Sequence, residues 1–194
     1  DEAIIGIKGK NMHLLDGKIV ASLEGTKVHI KEIPDIYPAG DEVVLTYETT
    51  GKIIPEGAIP VMVGVMVINV ETVYNIYRAV TKGASVTEKY ITIGGDTKED
   101  ITVKAPVGMK IKELLETAGY GNLDGKEVIN GGPMMGKLVD LENDVVTKTT
   151  KGLLIFPVTH SIIQRKKRPM SMTLKRASAA CCNCTMCSDM CPRR

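Results

Sequence analysis

The chain has no cysteine in its first 180 residues and no tryptophan, and all five cysteines fall between positions 181 and 191. Disulfide frameworks are typical of small secreted chains, so one short cluster argues against such a framework. The longest nearly apolar run, Ile59–Val70, is too short to span a bilayer and contains a proline. No targeting segment is visible, so the sequence predicts a cytoplasmic, reducing location and no transmembrane segment in this chain.

Several catalytic signatures are also missing. His13, His29 and His160 show neither metal-ligand nor triad spacing. No nucleophile elbow, Walker loop or zinc-protease motif occurs anywhere in the chain. Hydrolysis by a triad or a helical zinc site, and nucleotide binding by a Walker loop, are therefore not predicted.

Acidic residues are scarce at one end of the chain. Residues 147–194 hold ten Lys/Arg and one acid, Asp189, whereas residues 1–146 hold fifteen Lys/Arg against twenty-two acids. Phe156 is the one aromatic residue in the basic part, so this part has no platform on which bases could stack. We therefore predict no nucleic-acid partner, and we expect the run from Arg165 to Arg168 to be a solvated basic linker or a docking site for an acidic partner.

The cysteines follow the pattern C-x2-C-x2-C-x3-C-P, which ends at Pro192. The four cysteines of this pattern are Cys181, Cys184, Cys187 and Cys191. This spacing is typical of ligands to a [4Fe–4S] cluster. Zinc usually takes two cysteine pairs separated by a longer loop, so zinc is the weaker alternative, followed by a disulfide or free thiols. The fifth cysteine, Cys182, is predicted to be a small buried thiol beside the cluster.

The first region of the chain mixes strand and helix patterns. Ala3–Ile7 predicts a buried strand, and residues 29–33 predict a second strand. Residues 43–50 fit a strand by their β-branched content, but the acids before them and Gly51 after them favour a helix. Asn69 is a candidate cap for the next helix. The predicted inward stripe of that helix is Val70, Val73, Tyr74 and Tyr77.

The middle region has a clearer order. Strands are predicted over Tyr90–Ile93 and 101–103, followed by a helix with an apolar stripe and a strand over 127–129. The stripe consists of Ile111, Leu114, Leu115 and Ala118. Strand–strand–helix–strand over about fifty residues fits a β-grasp module. In the glycine-rich loop that follows, Met134 and Met135 are interpreted as loop packing rather than a metal site.

The last region continues with one apolar strand, Gly152–Phe156, before the basic linker. A short helix follows, for which Ser171 is the candidate cap, and Leu174 and Ala177 are predicted to face inward. This helix leads directly into the cysteines.

The order of these motifs resembles a known family. The order consists of Tyr37-x-x-Gly40-Asp41-Glu42, then Asn69-Val70-Glu71-Thr72, a β-grasp, and Cys-x2-Cys-x2-Cys. It resembles the flavin-bearing, NADH-oxidising subunit of respiratory complex I, and more closely the C subunit of the Rnf complex. The segments that resemble Rnf motifs are Asn130-Gly131-Gly132-Pro133-Met134-Met135-Gly136 and Lys148-Thr149-Thr150. The tail is most similar to that of the cobalamin reductases of propanediol-utilising bacterial microcompartments.

The resemblance covers residues 3–194 and implies an α/β architecture in three parts. Residues 1–85 would be the later part of a complex-I-flavin-subunit-like α/β domain that binds FMN. Residues 86–142 would be a soluble-ligand-binding β-grasp module. Residues 143–194 would supply a strand, the linker and the start of a small helical ferredoxin-like segment, with Cys191 ligating a second [4Fe–4S] cluster. The chain is therefore expected to be a piece of a longer protein.

The resemblance also implies which residues face the flavin. They are Tyr37, Gly40, Asp41, Glu42, Asn69 and Thr72. Gly40 would let the backbone approach a flat ring, and the carboxylates would accept hydrogen bonds from ribityl hydroxyls or a ring N–H. The same residue types are ordinary in turns and helix caps, which is the structural alternative. The complex I pattern has two asparagines where this chain has Ile68-Asn69, so one polar contact is lost.

The function implied is electron transfer from NADH through FMN and [4Fe–4S] clusters to a corrinoid. An Rnf-type acceptor, ferredoxin or a membrane-bound chain, is the alternative in the same class, and partner electron-transfer or microcompartment proteins are expected. A flavin-free iron–sulfur relay or adaptor is the alternative from another class. A purely structural cluster is the third possibility. The fragment itself is expected to be inactive.

Overall fold

The computed structural model describes residues 2–191, so Pro192 lies outside the described residues. The chain forms two compact units, one made of Asp1–Thr72 and Cys182–Arg194, the other of Val73–Cys181. The elements that begin in the first unit are β1 (Ala3–Lys8), α1 (Gly17–Leu23), β2 (Val28–Ile33), α2 (Glu42–Thr50), α3 (Val70–Lys82) and α7 (Met186–Asp189). Two short 3-10 helices, Gly9–Leu14 and Pro60–Val63, complete it.

The first unit contains a two-stranded parallel sheet. Strands β1 and β2 pair in register from Ala3 opposite Val28 to Lys8 opposite Ile33. Both strands were predicted, but the expected burial of β1 is wrong, because Ile5 is 37% exposed and no β1 residue is buried. A sheet of only two strands is too small to bury both faces of either strand.

Helix α2 confirms the helical interpretation of residues 43–50. The side chain of Asp41 caps it, since Oδ1 accepts a hydrogen bond from the Val43 N–H at 3.0 Å. Gly51 ends it in the left-handed conformation with φ of 73°. Local cap chemistry at both ends therefore outweighs the β propensity of the residues between them.

Helix α3 confirms a helix after Asn69 but not its predicted packing. The four stripe residues are 50–80% exposed, and no described residue of α3 is buried. The prediction of an inward stripe is wrong because periodicity defines an apolar face, whereas burial needs a second element packed on that face.

The second unit is built on a five-stranded sheet. Its elements after α3 are β3 (Glu88–Gly95), β4 (Ile101–Pro106), α4 (Ile111–Thr117), β5 (Lys126–Asn130), β6 (Lys137–Leu138), β7 (Gly152–Pro157), α5 (Ser161–Lys167) and α6 (Met170–Ala180). The strand order is β4-β3-β7-β5-β6. Strands β3 and β7 are parallel, and the other neighbours are antiparallel.

The core of this unit lies between the sheet and α4. Ile111 and Leu115 of the predicted helical stripe are fully buried and pack in one cluster with Ile91 and Ile93 of β3 and Leu153 of β7. The predicted helix and its stripe are thus confirmed. The boundary expected at residue 142 falls within this fold, because the sheet continues to β7, which occupies its central position.

The end of the second unit differs from the prediction. The run expected to be a basic linker instead forms the last turn of α5, where cations interact favourably with the helix dipole. The fully buried Ile163 anchors this helix. Helix α6 begins after Pro169, so Ser171 lies inside its first turn and is not the cap. Leu174 is 59% exposed and Ala177 is also exposed, so their inward placement is wrong for the same reason as in α3.

The glycine–methionine loop, defined as residues 131–136, joins β5 to β6. A Cβ atom at Gly136 would lie 2.5 Å from Gly132 O, 2.5 Å from Ile129 Cγ2 and 2.8 Å from Asn130 O. Gly131 has φ of 102°, a conformation that side chains rarely allow. Glycine is therefore a steric requirement at position 136.

Replacing Gly136 with alanine is expected to destabilise the protein by about 2–3 kcal/mol, because backbone must move to accept the methyl group. Gly132→Ala is the matched control, since a Cβ at that position meets nothing within 4 Å. Urea unfolding monitored by circular dichroism measures both variants. Equal midpoints for the two variants would contradict the steric argument.

None of the helices in the described part of the chain combines the length and apolar character needed to cross a bilayer.

Candidate functional site

Four of the predicted flavin residues lie on one turn between β2 and α2. The turn is closed by two hydrogen bonds, from Ala39 N to Ile36 O at 3.0 Å and from Asp41 N to Pro38 O at 2.7 Å. It contains a cis peptide bond between Tyr37 and Pro38. The structure therefore gathers Tyr37, Gly40, Asp41 and Glu42 at the N-terminus of α2.

The other two predicted residues lie at the start of α3. Asn69 Oδ1 accepts a hydrogen bond from the Glu71 N–H at 3.1 Å, and Thr72 lies in the first turn. The cap role expected of Asn69 is confirmed. Because its Oδ1 holds the helix, the Nδ2 amide group is the part of this side chain that can donate to a ligand.

Most of these six residues are exposed. Tyr37 is 69% exposed, and Gly40, Glu42, Asn69 and Thr72 are exposed as well, while Asp41 is half-buried. A Cβ at Gly40 would meet nothing within 4 Å, and its φ lies outside the left-handed region. The packing of this chain therefore does not require glycine at position 40, which leaves room for a flat group against the backbone.

An open groove of about 580 Å³ lies near the carboxyl ends of β1 and β2. Its lining residues are Gly9, Lys10, Glu32, Ile33, Pro34, Asp35 and Glu48. Asp35 bridges two lysines, with Oδ1 2.9 Å from Lys8 Nζ and Oδ2 2.8 Å from Lys10 Nζ. These hydrogen bonds, from Lys10 first and Lys8 second, hold the pKa of Asp35 below its ordinary value.

Sequence reasoning missed this groove, and none of the six predicted flavin residues lines it. Ligands bind beyond the carboxyl ends of the strands in open α/β sheets, so the residues that follow β1 and β2 could have indicated the groove. Lysines at positions 8 and 10 and an acid shortly after the second strand mark that edge.

The cysteines occupy an irregular loop after α6. Cys181 ends that helix, with its N–H bonded to Ala177 O at 3.0 Å. Asn183 and Thr185 have φ of 54° and 60°, so two left-handed residues flank Cys184. A β-branched residue rarely adopts this conformation, which makes Thr185 a strained position. Such turns direct consecutive backbone N–H groups toward one point, an arrangement found at Fe–S sites.

Hydrogen bonding at Cys184 favours its thiolate. The Met186 N–H, and after it the Cys182 thiol, hydrogen-bond to the sulfur of Cys184 and lower the pKa of that thiol. Metal ligation requires the thiolate form. The local environment of Cys184 therefore suits an iron ligand.

All five cysteines are exposed, so Cys182 is not the buried thiol that was expected. Within residues 2–191, no group of three or more His, Cys, Asp or Glu side chains is gathered in a geometry that could hold a metal ion. The donor chemistry fits an iron–sulfur cluster, whereas the convergence of the four sulfurs stays a prediction.

Comparison with known proteins agrees with the motif order. Residues 1–78 match a family model described as the Nuo51 FMN-binding domain. Over 192 residues the chain is 41% identical to the cobalamin reductase PduS of Salmonella typhimurium. The aligned region covers 99% of this chain and 42% of that protein. It is 42% identical over 190 residues to PduS of Citrobacter freundii, with 98% and 42% covered.

A second group of relatives is more distant. The chain is 30% identical over 192 residues to the C subunit of the ion-translocating oxidoreductase complex of Salmonella gallinarum, covering 98% of this chain and 27% of that protein. The chain thus spans less than half the length of these relatives. The expected resemblance to flavin-linked oxidoreductases is confirmed. The chain is therefore similar to the Nuo51 FMN-binding domain over residues 1–78, and over nearly its whole length to parts of cobalamin reductase PduS and the C subunit of ion-translocating oxidoreductases.

Proposed function

We propose that the chain is part of an electron-transfer flavoprotein that takes electrons from NADH and delivers them to a corrinoid. The observation that carries the proposal is that one chain combines an FMN-binding-domain match over residues 1–78 with the C-x2-C-x2-C-x3-C motif at residues 181–191. FMN supplies the exchange between two-electron and one-electron chemistry. The chain's own task is to bind, orient and shield the carriers.

The flavin surface is assigned to the turn before α2 and the start of α3. Gly40 lets the ring approach the backbone, and Tyr37 offers an aromatic face beside it. Asp41 and Glu42 accept hydrogen bonds from hydroxyl or ring N–H groups, while Asn69 Nδ2 donates and Thr72 does either. The exposure of most of these side chains and the open space at Gly40 support this assignment.

The second unit is proposed to be a β-grasp of the soluble-ligand-binding kind. Numbered within the unit, its strand order of β4-β3-β7-β5-β6 becomes 2-1-5-3-4, with a parallel central pair and one helix packed on the sheet. This order and the buried helix support the proposal.

The cysteine loop is proposed to begin a ferredoxin-like segment. Cys181, Cys184 and Cys187 would ligate one [4Fe–4S] cluster, with Cys191 on the same cluster or on a second one, as in two-cluster ferredoxins. The flanking left-handed residues and the N–H bond to Cys184 support iron ligation. We place the protein in the cytoplasm, inside a microcompartment or at the membrane periphery, with microcompartment or other electron-transfer proteins as partners.

Spectroscopy of the anaerobically purified full-length protein tests the proposal. We expect a flavin band at about 450 nm that bleaches with NADH, together with the paramagnetic signal of a reduced [4Fe–4S] cluster. Clusters without flavin, or flavin that NADH does not reduce, would favour the relay or adaptor function instead. A cluster that cannot be photoreduced and whose chelation unfolds the protein would indicate a structural role.

The Rnf-type function is a second candidate because the chain is 30% identical to the C subunit of an ion-translocating oxidoreductase. Parallel assays of corrinoid reduction and ferredoxin reduction with NADH separate the two. Reduction of ferredoxin without corrinoid would assign the Rnf-type acceptor.

A further inference from the structure

The glycine–methionine loop has a backbone held in place by contacts along its length. Its first residue is tied to β7 by a hydrogen bond from Gly131 N to Gly152 O at 2.8 Å, and Gly136 N bonds to Gly132 O at 2.7 Å. From α5, the Lys166 ammonium group donates to Gly136 O and, at 3.3 Å, to Met134 O. The loop therefore does not depend on its methionine side chains for its shape.

The methionine side chains of this loop face solvent. Met134 is 66% exposed and Met135 is 83% exposed, so the interpretation of this pair as loop packing is wrong. Covering these two apolar side chains with a partner would remove their surface from water, which is favourable. Because the backbone is already fixed, little of that gain would be spent on ordering the loop. Methionine is unbranched and polarisable, and is therefore suited to surfaces that adapt to a partner.

Cations surround the base of this loop. Lys137 follows it directly and is exposed, and the last turn of α5 carries Arg165, Lys166 and Lys167. Lys167 pairs with Glu127, which reduces the local positive charge. Residues 145–181, which include α5 and α6, contain no acid, so no acid on these helices offsets their cations.

We propose that the exposed methionine pair and the flanking cations form a docking surface for a small acidic electron-carrier protein. This inference rests on the proposed electron-transfer function. The positive flank selects an acidic partner and accelerates its approach. One loop tip and one helix turn provide only a small contact, which fits the weak, transient encounters of electron carriers.

The test uses the purified full-length protein with an acidic ferredoxin and an acidic flavodoxin as probes, and a basic cytochrome c as the charge control. The variant Met134→Ser/Met135→Ser removes the apolar contact. Met62→Ser is the matched control, since Met62 is 71% exposed and lies in the other unit. Dissociation constants are measured by calorimetry in about 50 and about 200 mM salt, conditions that differ in charge screening.

We expect at least one acidic probe to bind, more weakly at high salt, and the double variant to weaken binding about tenfold, while Met62→Ser leaves it unchanged. Binding of neither acidic probe, binding of cytochrome c with equal affinity, or equal binding by the double variant would overturn the proposal.

Peroxide footprinting provides an independent measurement. Met134 and Met135 are expected to oxidise as fast as Met62 in the protein alone and to be protected when the acidic probe is bound. Slow oxidation in the protein alone would show that another part of the same polypeptide covers the pair, and the docking surface would be rejected. Calorimetry and footprinting need no electron transfer, so a flavin-free protein that passes both tests would contradict the proposed function but leave the docking surface for an acidic partner in place.

Discussion

Replacing Cys184 with serine is expected to remove one [4Fe–4S] cluster from the full-length protein. Cys184 is the second cysteine of the motif, and its sulfur already accepts a backbone N–H bond that favours the thiolate. Serine keeps the size of the side chain but is a poor ligand for iron, so the cluster is expected to lose a ligand. Iron analysis should show a loss of about four iron atoms per protein, with loss of the matching paramagnetic signal.

Cys182 provides the matched control for this result. It lies two residues away, is also exposed, and stands outside the C-x2-C-x2-C-x3-C spacing. Cys182→Ser is expected to retain the full iron content. A loss of iron from the Cys182 variant, with none from the Cys184 variant, would show that the ligands do not follow the motif. Tetrahedral zinc in place of iron would be detected in the same metal analysis.

Replacing Gly40 with leucine is expected to weaken FMN binding about a hundredfold, or roughly 2.8 kcal/mol, with little change in stability. The stability expectation follows from the open space around Gly40, where a Cβ meets nothing within 4 Å. The binding expectation follows from the flavin surface proposed there, because the added side chain would occupy the volume of the ring. Flavin fluorescence titration of the full-length apoprotein gives the affinity, and thermal unfolding gives the stability.

Gly17→Leu is the control for the flavin measurement. Its Cβ likewise meets nothing within 4 Å, and it lies in the first turn of α1, away from the six assigned residues in sequence. This variant should bind FMN normally. Normal binding by the Gly40 variant would show that the glycine is an ordinary turn residue and would move the flavin site away from the start of α2.

The sequence predicted helices and strands where local chemistry decides them. Asp41 and Gly51 define the two ends of α2, and the stripe containing Leu114 and Leu115 defines the buried side of α4. Burial of the amphipathic helices was not predictable in the same way. Val70 and Leu174 lie on apolar faces, yet whether such a face is covered depends on another element rather than on the helix.

The same distinction between local chemistry and long-range contacts applies to the candidate site. The cap role of Asn69 and the turn around Gly40 follow from residue type, so sequence reasoning located them. The bridge from Lys8 and Lys10 to Asp35 joins the ends of two strands that are distant in sequence, and Lys166 reaches the glycine–methionine loop from another helix. Contacts of this kind appear only once the chain is folded.

The central place of β7 sets an order for the biosynthesis of the second unit. Strand β3 must wait for a neighbour that the ribosome makes some sixty residues later, since Thr92 pairs with Gly152. Until then the inner edges of β3 and β5 have unpaired backbone groups, which invite pairing with other chains. Long-range parallel pairing is also slow to form. Because the cysteines follow β7, they leave the ribosome after the last strand of the sheet, so insertion of the proposed cluster can follow closure of the sheet.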